Sequence, residues 1–233
     1  VRTVLEGTGS VRLAAAELDL PDEPHRVVAM AIRSPDPLGA EGMRLALWER
    51  ITAGVGRGPA VTQLRDVLYA VVTDRSGWPA LREALTAEDG PLVAAGPPAP
   101  VTELAGSRAV AEEMLNLLRT GLVTGPVVSH EEAWKVLALH RAATGALAAG
   151  STEFGPLAVL TALDERSGTS YVDTLYEWLR HPGDPRAASK ALRIHPNTLR
   201  YRMAKLGELV DVDLEDPDTR LALLVQLAAL RWA

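Results

Sequence analysis

The 233-residue chain contains no cysteine. This excludes a disulfide scaffold, thiolate metal sites, iron–sulfur ligation and cysteine catalysis. Lysine is nearly as scarce. Only 3 of the 24 basic residues are Lys, while Ala occurs 36 times, the bias of a GC-rich genome rather than of a function. Aromatic residues number 10, and 5 of them are Trp. No apolar run can span a bilayer: the longest, Leu221 to Ala233, is too short and contains Gln226 and Arg231. No basic stretch followed by an apolar stretch opens the chain as a leader would. These absences read as a cytoplasmic protein with no membrane contact. The chain starts at Val1 rather than Met, so it reads as a piece of something longer.

What is present is enough apolar material, 47% of residues, to bury a core over one or two domains. The formal charge is −6, which gives no global sign of nucleic-acid binding. The five histidines, His25, His130, His140, His181 and His195, lack metal-ligand spacing, and HEEAW (130–134) is not a paired-His motif. GVGRGP (54–59) lacks a third Gly in register and a following Lys, so it reads as a surface turn, not a phosphate loop. No Ser/His/Asp arrangement is legible. The chain therefore calls for no metal, no cofactor and no catalytic residue.

The pattern along the chain divides in two. Residues 1–20 look helical, with Val4, Leu5, Val11, Leu13, Ala14 and Leu18 as apolar positions. HRVVAMAI (25–32) is a continuous apolar run suited to a buried strand. A loop with Pro35, Pro37 and Gly39 leads to a helix near Met43–Ile51. Val61–Leu64 and Val67–Val72 suit a hairpin turning at Arg65-Asp66. Trp78–Leu85, Thr102–Leu118 and Glu131–Ala143 read as helices, with strands at Leu92–Ala95 and Val127–Val128 between them. Alternating strands and helices predict a mixed α/β domain over 21–145. Ala146–Thr152 reads as a linker, and from Phe154 onward only helical patterns occur. Trp48, Trp134 and Trp178 fall at helical apolar positions and read as core, whereas Trp232 lies near the end of a helix that suits packing or a second protomer.

The chemistry concentrates between Tyr171 and Val210. Tyr171–Leu179 is amphipathic; Asp184 can cap a short helix that starts at Pro185; Arg193-Ile194-His195 makes a tight connection; Pro196 opens a longer helix. In that last helix Leu199, Met203, Leu206 and Val210 fall on one face. This is the layout of a helix-turn-helix. At 100° per residue, Asn197, Tyr201, Ala204 and Glu208 point most directly away from the stripe, Thr198, Arg200 and Lys205 flank them, and Arg202 lies nearer the stripe. Asn suits adenine and Arg suits guanine in a major groove, while hydroxyls suit phosphates or bases. Between Pro185 and Gly207 stand six cations, Arg186, Lys190, Arg193, Arg200, Arg202 and Lys205, and no Asp or Glu. The window carries +6 and the other 210 residues −12, so the acidic total conceals a basic segment. A solvated helix face explains a charge run in general, but not one joined to this helical layout.

Here the sequence resembles a known family. GDPRAASKALRIHPNTLRYRMAKLGELVDVDLEDPDTRLAL, with HPNTLRYRM (195–203) at its centre, is similar to the C-terminal helix-turn-helix of the PucR/CdaR-type transcription regulators. Asn197 to Arg202 stand where that family has its recognition-helix run, and Pro196 stands where a basic residue is also frequent. Upstream, HRVVAMAI (25–32), Val67–Val72 and VAAGPPAPVTELAGSRAVAEEML (93–115) look like the degenerate GGDEF-like domain of the family. The resemblance implies an α+β protein: a connecting helix in 1–20, a GGDEF-like regulatory domain in 21–145, a linker and connecting helix in 146–170, and an all-α DNA-binding domain in 171–233. It implies a DNA operator as partner, contacted by Arg186, Lys190, Arg193, Asn197, Thr198, Arg200, Tyr201, Arg202 and Lys205. It also implies a homodimer or higher homo-oligomer and an effector sensed by a domain upstream of Val1. A nucleotide-binding or cyclase-like enzyme is the alternative. Against it, the hairpin Gln63-Leu64-Arg65-Asp66-Val67 has one carboxylate and no Gly-Gly.

Overall fold

Seven consecutive buried residues, His25–Ala31, form β1, the middle strand of a five-stranded sheet. The sheet runs β2 (Ala60–Leu64), β3 (Val67–Thr73), β1, β4 (Leu92–Ala95), β5 (Val127–Ser129), with every pairing antiparallel except β4 with β5. The computed structural model describes residues 1–33, 36–54, 60–86 and 90–232. It divides into two compact units, Val1–Leu137 and Ala138–Ala233.

β1 shows no polar alternation because both faces of the sheet are covered. Side chains along a strand still alternate, and each face has its own core. Val27, Ala29 and Ala31, with Val67, Tyr69 and Val71 of β3, pack under α1 (Arg2–Glu6), α2 (Val11–Glu17), α5 (Leu104–Arg119) and Ala133 and Leu137 of α6 (His130–Ala148). Val28 and Met30, with Leu68, Ala70 and Val72, pack under α3 (Pro37–Gly54) and α4 (Gly77–Leu85). Residues 1–20 thus form two short helices, separated where Gly7 and Gly9 take left-handed φ of 65° and 68°.

Pro37 and Gly39, expected in a loop, open α3 instead. Asp36 accepts from the Gly39 amide at 2.9 Å, and Pro is tolerated in a first turn because its missing N–H has no partner there anyway. Pro35 and residues 55–59 of the GVGRGP stretch lie outside the described residues. Trp134 is 56% exposed rather than core. The inner face of α6 is set by Ala133 and Leu137 at i and i+4, and Trp134 lies one position round from it.

The sheet is tied to α5 and α6 by polar groups. Ser107, buried on α5, accepts from the Val27 amide at 3.1 Å and donates to the Pro97 carbonyl at 2.8 Å. α5 comes so near the end of β4 that a Cβ on Gly96 would lie 2.0 Å from the Ser107 carbonyl oxygen. Arg26, the one charged residue on β1, is buried and binds Glu131 with two hydrogen bonds of 2.9 and 2.8 Å, together with Asp74 and the Gly96 carbonyl. These bonds hold the Glu131 carboxyl at about 2, well below its ordinary 4.5.

The second unit is all-helical: the end of α6, then α7 (Gly155–Ser167), α8 (Tyr171–Arg180), α9 (Pro185–Ala191), α10 (Pro196–Leu209) and α11 (Pro217–Trp232). Leu157 and Leu160, Leu175 and Leu179, Leu206 and Val210, and Leu223 and Leu227 form its core.

A carboxyl held below its unfolded value stabilises the fold above that value, and the contribution fades as pH falls through the folded one. The stability difference between the wild type and Glu131→Gln should therefore be largest above pH 4.5 and shrink as pH falls toward 2. Urea melts across that range measure it. A difference independent of pH would mean that the Arg26 pair is not what holds Glu131 ionised.

Candidate nucleic-acid interface

Helix N-termini expose amides that need acceptors, and each helix from α8 to α11 receives one. Asp164 reaches from α7 to the amides of Tyr171 and Val172, both at 2.9 Å, at the start of α8. Asp184 accepts from Arg186 and Ala187 at 3.1 and 2.9 Å at the start of α9. Asp216 accepts from the Thr219 hydroxyl at 2.6 Å and the Thr219 amide at 2.8 Å at the start of α11, and these bonds, the hydroxyl's first, lower its carboxyl below the usual range. At the start of α10 the acceptor is Nδ1 of His195, 3.2 Å from the Asn197 amide.

α9 ends in a Schellman arrangement: the Ile194 amide donates to the Ser189 carbonyl at 3.0 Å and the Arg193 amide to the Lys190 carbonyl at 3.1 Å. Arg193 occupies the left-handed position of that motif with φ 55°. Glycine is the usual residue there, and an Arg stores about 1–2 kcal/mol of strain.

The orientation of α10 follows from its stripe. Leu199, Leu206 and Val210 are buried and Met203 packs against the core at their edge. The opposite side carries Asn197, Thr198, Arg200 and Tyr201, all exposed. Tyr201 is 68% exposed, an aromatic ring left in solvent on a polar face. Arg200 donates to Oδ1 of Asn197 at 3.3 Å, so the two outward groups hold each other. Arg186, Lys190 and Arg193 are exposed and in no ion pair among the described residues.

Two of the nine expected site residues make side-chain contacts within the protein. Arg202 is half-buried, and its guanidinium reaches back to the Thr174 hydroxyl of α8 at 3.4 Å. Lys205 pairs with Glu208 one turn on at 2.7 Å, which raises its ammonium above the usual value. The structure thus brings Asn197, Thr198, Arg200 and Tyr201 together on one face and engages Arg202 and Lys205 within the protein. His195 as a cap was missed from the sequence, although a Pro at the first helical position marks the residue before it as the cap. Asp164 was missed because it lies seven and eight residues from the amides it serves.

Residues 171–229 match the family model of the PucR C-terminal helix-turn-helix domain. The chain is 46% identical over 72 residues to the carbohydrate diacid regulator of Escherichia coli, 31% of this chain and 18% of that protein. It is 37% identical over 75 residues to the proline-responsive transcriptional activator PutR of Bacillus subtilis, 32% of this chain and 18% of that protein. The chain thus spans less than a fifth of the length of either regulator. A regulator of polyketide synthase expression from Bifidobacterium adolescentis overlays 99% of this chain and 90% of its own at 16% identity and a TM-score of 0.39. Among the described residues, no helix is long and apolar enough to cross a membrane.

Two substitutions separate the structural parts. Asp184→Ala removes a cap and should cost the second unit about 1 kcal/mol. Arg193→Gly relieves the left-handed strain and should raise stability by up to about 1 kcal/mol. Chemical denaturation of the two variants reads both; a destabilised Arg193→Gly would mean that its side chain, not its backbone, sets the local energy.

Proposed function

We propose that this chain, whose residues 171–229 form a PucR-type helix-turn-helix, is part of a sequence-specific DNA-binding transcription regulator. In this reading α10 enters the major groove. Asn197, Thr198, Arg200 and Tyr201 meet base edges, and Arg186, Lys190 and Arg193 hold phosphates. The observation that carries the reading is the outward face of α10 and its flanks: exposed amide, hydroxyl, guanidinium and phenol groups in a 23-residue window free of carboxylates. Helix N-terminal side chains are the ones that reach bases in helix-turn-helix docking. Arg202 then acts from behind, bracing α10 on α8, and Lys205 reaches a phosphate only by leaving Glu208.

The domain plan follows the same reading, with residues 21–145 as a GGDEF-like domain for regulation or assembly, 146–170 as a connector and 171–233 as the DNA-binding domain. The α/β domain works without catalysis. At its hairpin the single carboxylate, Asp66, is engaged by Arg119 at 3.0 Å, which leaves no free acidic pair to hold a metal–nucleotide complex. Such a protein works as a homodimer or higher oligomer, because two half-sites match two recognition helices.

Selection of bound fragments from genomic DNA by the purified chain should yield a single motif with two related half-sites. The salt slope should be no steeper than about −5 per protomer, and nearer −4 if Arg202 and Lys205 keep their internal contacts. Replacing Asn197 and Arg200 together by Ala should relax the motif, each change costing about 1–3 kcal/mol on the selected site. Arg193→Gly should instead weaken all duplexes alike and reduce the slope by about 1. A double variant that binds the selected site like wild type would remove α10 as the reading helix.

A further inference from the structure

We infer that His195 is a positioning residue for DNA reading, and that it acts only as a neutral imidazole. The inference rests on the helix-turn-helix reading above. Its ring nitrogen Nδ1 accepts the Asn197 amide at 3.2 Å, so Nδ1 carries no proton and the ring proton sits on Nε2. Asn197 is therefore fixed twice, through its backbone by His195 and through its side chain by Arg200 at 3.3 Å. The residue held this way opens the face that reads bases.

The choice of residue at this cap is unlike its neighbours. Three of the four helices from α8 to α11 take an Asp carboxylate as the acceptor. At α10 a carboxylate would stand next to the phosphates that the surrounding cations attract, and like charges repel. An imidazole supplies the same lone pair without the charge. Its cost is proton sensitivity, since an imidazole, unlike an amide or hydroxyl cap, can take a proton on the very nitrogen that accepts. Once protonated, Nδ1 is a donor facing a donor, and a positive charge sits at the positive end of the helix.

Among the described residues, the charged groups on the elements around the cap are cations or carboxylates that already have partners. α9 carries Arg186 and Lys190, and the turn carries Arg193. Asp184 serves the α9 amides. On α8, Asp173 pairs with Arg231, and Glu177 faces Arg180 and His181 at 3.7 and 3.5 Å. On α10 itself stand Arg200, Arg202 and the Lys205–Glu208 pair. A proton taken at Nδ1 would open the cap, freeing the first turn of α10 and loosening Asn197. Total DNA affinity hides this, because added positive charge strengthens contact with any phosphate backbone. The sensitive quantity is the ratio of affinity for the selected site to that for an unrelated duplex of the same length.

The experiment measures that ratio with the full chain at fixed salt from about pH 8 to 5.5 for wild type, His195→Asn and His195→Ala. Asn is a good cap that does not titrate. Wild type should lose several-fold in the ratio toward the acid end. His195→Asn should hold a near wild-type ratio across the range. His195→Ala should be low throughout, by roughly two- to thirtyfold, the span that loss of a cap implies. Far-ultraviolet circular dichroism at each pH checks folding, and if the Ala variant unfolds, the wild-type and Asn profiles alone decide. Identical profiles for wild type and His195→Asn, or a His195→Ala ratio equal to wild type at pH 8, would overturn the inference while leaving DNA reading intact. A wild type that shows no preference for any sequence at any pH removes the helix-turn-helix reading and the inference with it.

Discussion

Burial of Leu199, Leu206 and Val210 fixes the rotation of α10, and the remaining properties of the C-terminal unit depend on that rotation. A helix has one degree of freedom about its own axis, and burying three apolar side chains at about 1.5–3 kcal/mol each removes it. Asn197, Thr198, Arg200 and Tyr201 then face outward because the helix repeat leaves them no other direction. Arg202 sits at the edge of the stripe, so its long side chain bends back to Thr174 on α8. The same packing that exposes these polar groups therefore enlists one of the basic residues as a brace.

Charge is distributed on the same principle. The acidic surplus lies outside residues 185–207, and several of its carboxylates are committed within the fold: Glu131 to Arg26, Asp66 to Arg119, Asp173 to Arg231. Inside the window Arg186, Lys190 and Arg193 are left without acidic partners among the described residues. An acidic body with a local basic face favours one orientation toward a polyanion and discourages the others. The total of −6 conveys neither fact.

Elements with a strong local period were legible in the sequence. β1 announced itself because a strand covered on both faces is apolar throughout, and the hairpin because a β-branched run flanks two polar residues. The stripe of α10 was legible from spacing alone, as was the Asp184 cap, which lies directly before a Pro. What escaped was set by packing partners far away in sequence. Trp134 has an apolar side chain at a helical position, yet only tertiary packing decides that Ala133 and Leu137 are the inner residues of α6. Asp164 reaches α8 only because the intervening turn at Gly168 brings it there. Lys205 looked equivalent to the other cations until its partner Glu208 was in place, while Arg202, nearer the stripe by spacing, showed its partner Thr174 only in the packed structure.

Two positions of the turn depart from the residue that local stability alone would favour. Arg193 holds a left-handed conformation that Gly would adopt without strain, and His195 caps a helix where Asp, Asn or Ser is the usual choice. Each departure has the same electrostatic sense. Gly in place of Arg193 would remove a cation, and Asp in place of His195 would add an anion, in a segment that otherwise carries no carboxylate. A segment shaped only for folding would have no reason to avoid either change. On the proposed reading, a segment that meets phosphates has a reason to avoid both, and the charge at Arg193 is kept at about 1–2 kcal/mol of strain. On that reading, local stability and phosphate contact pull in opposite directions at Arg193, whereas at His195 charge accounts for the absence of Asp but not of the neutral caps Asn and Ser.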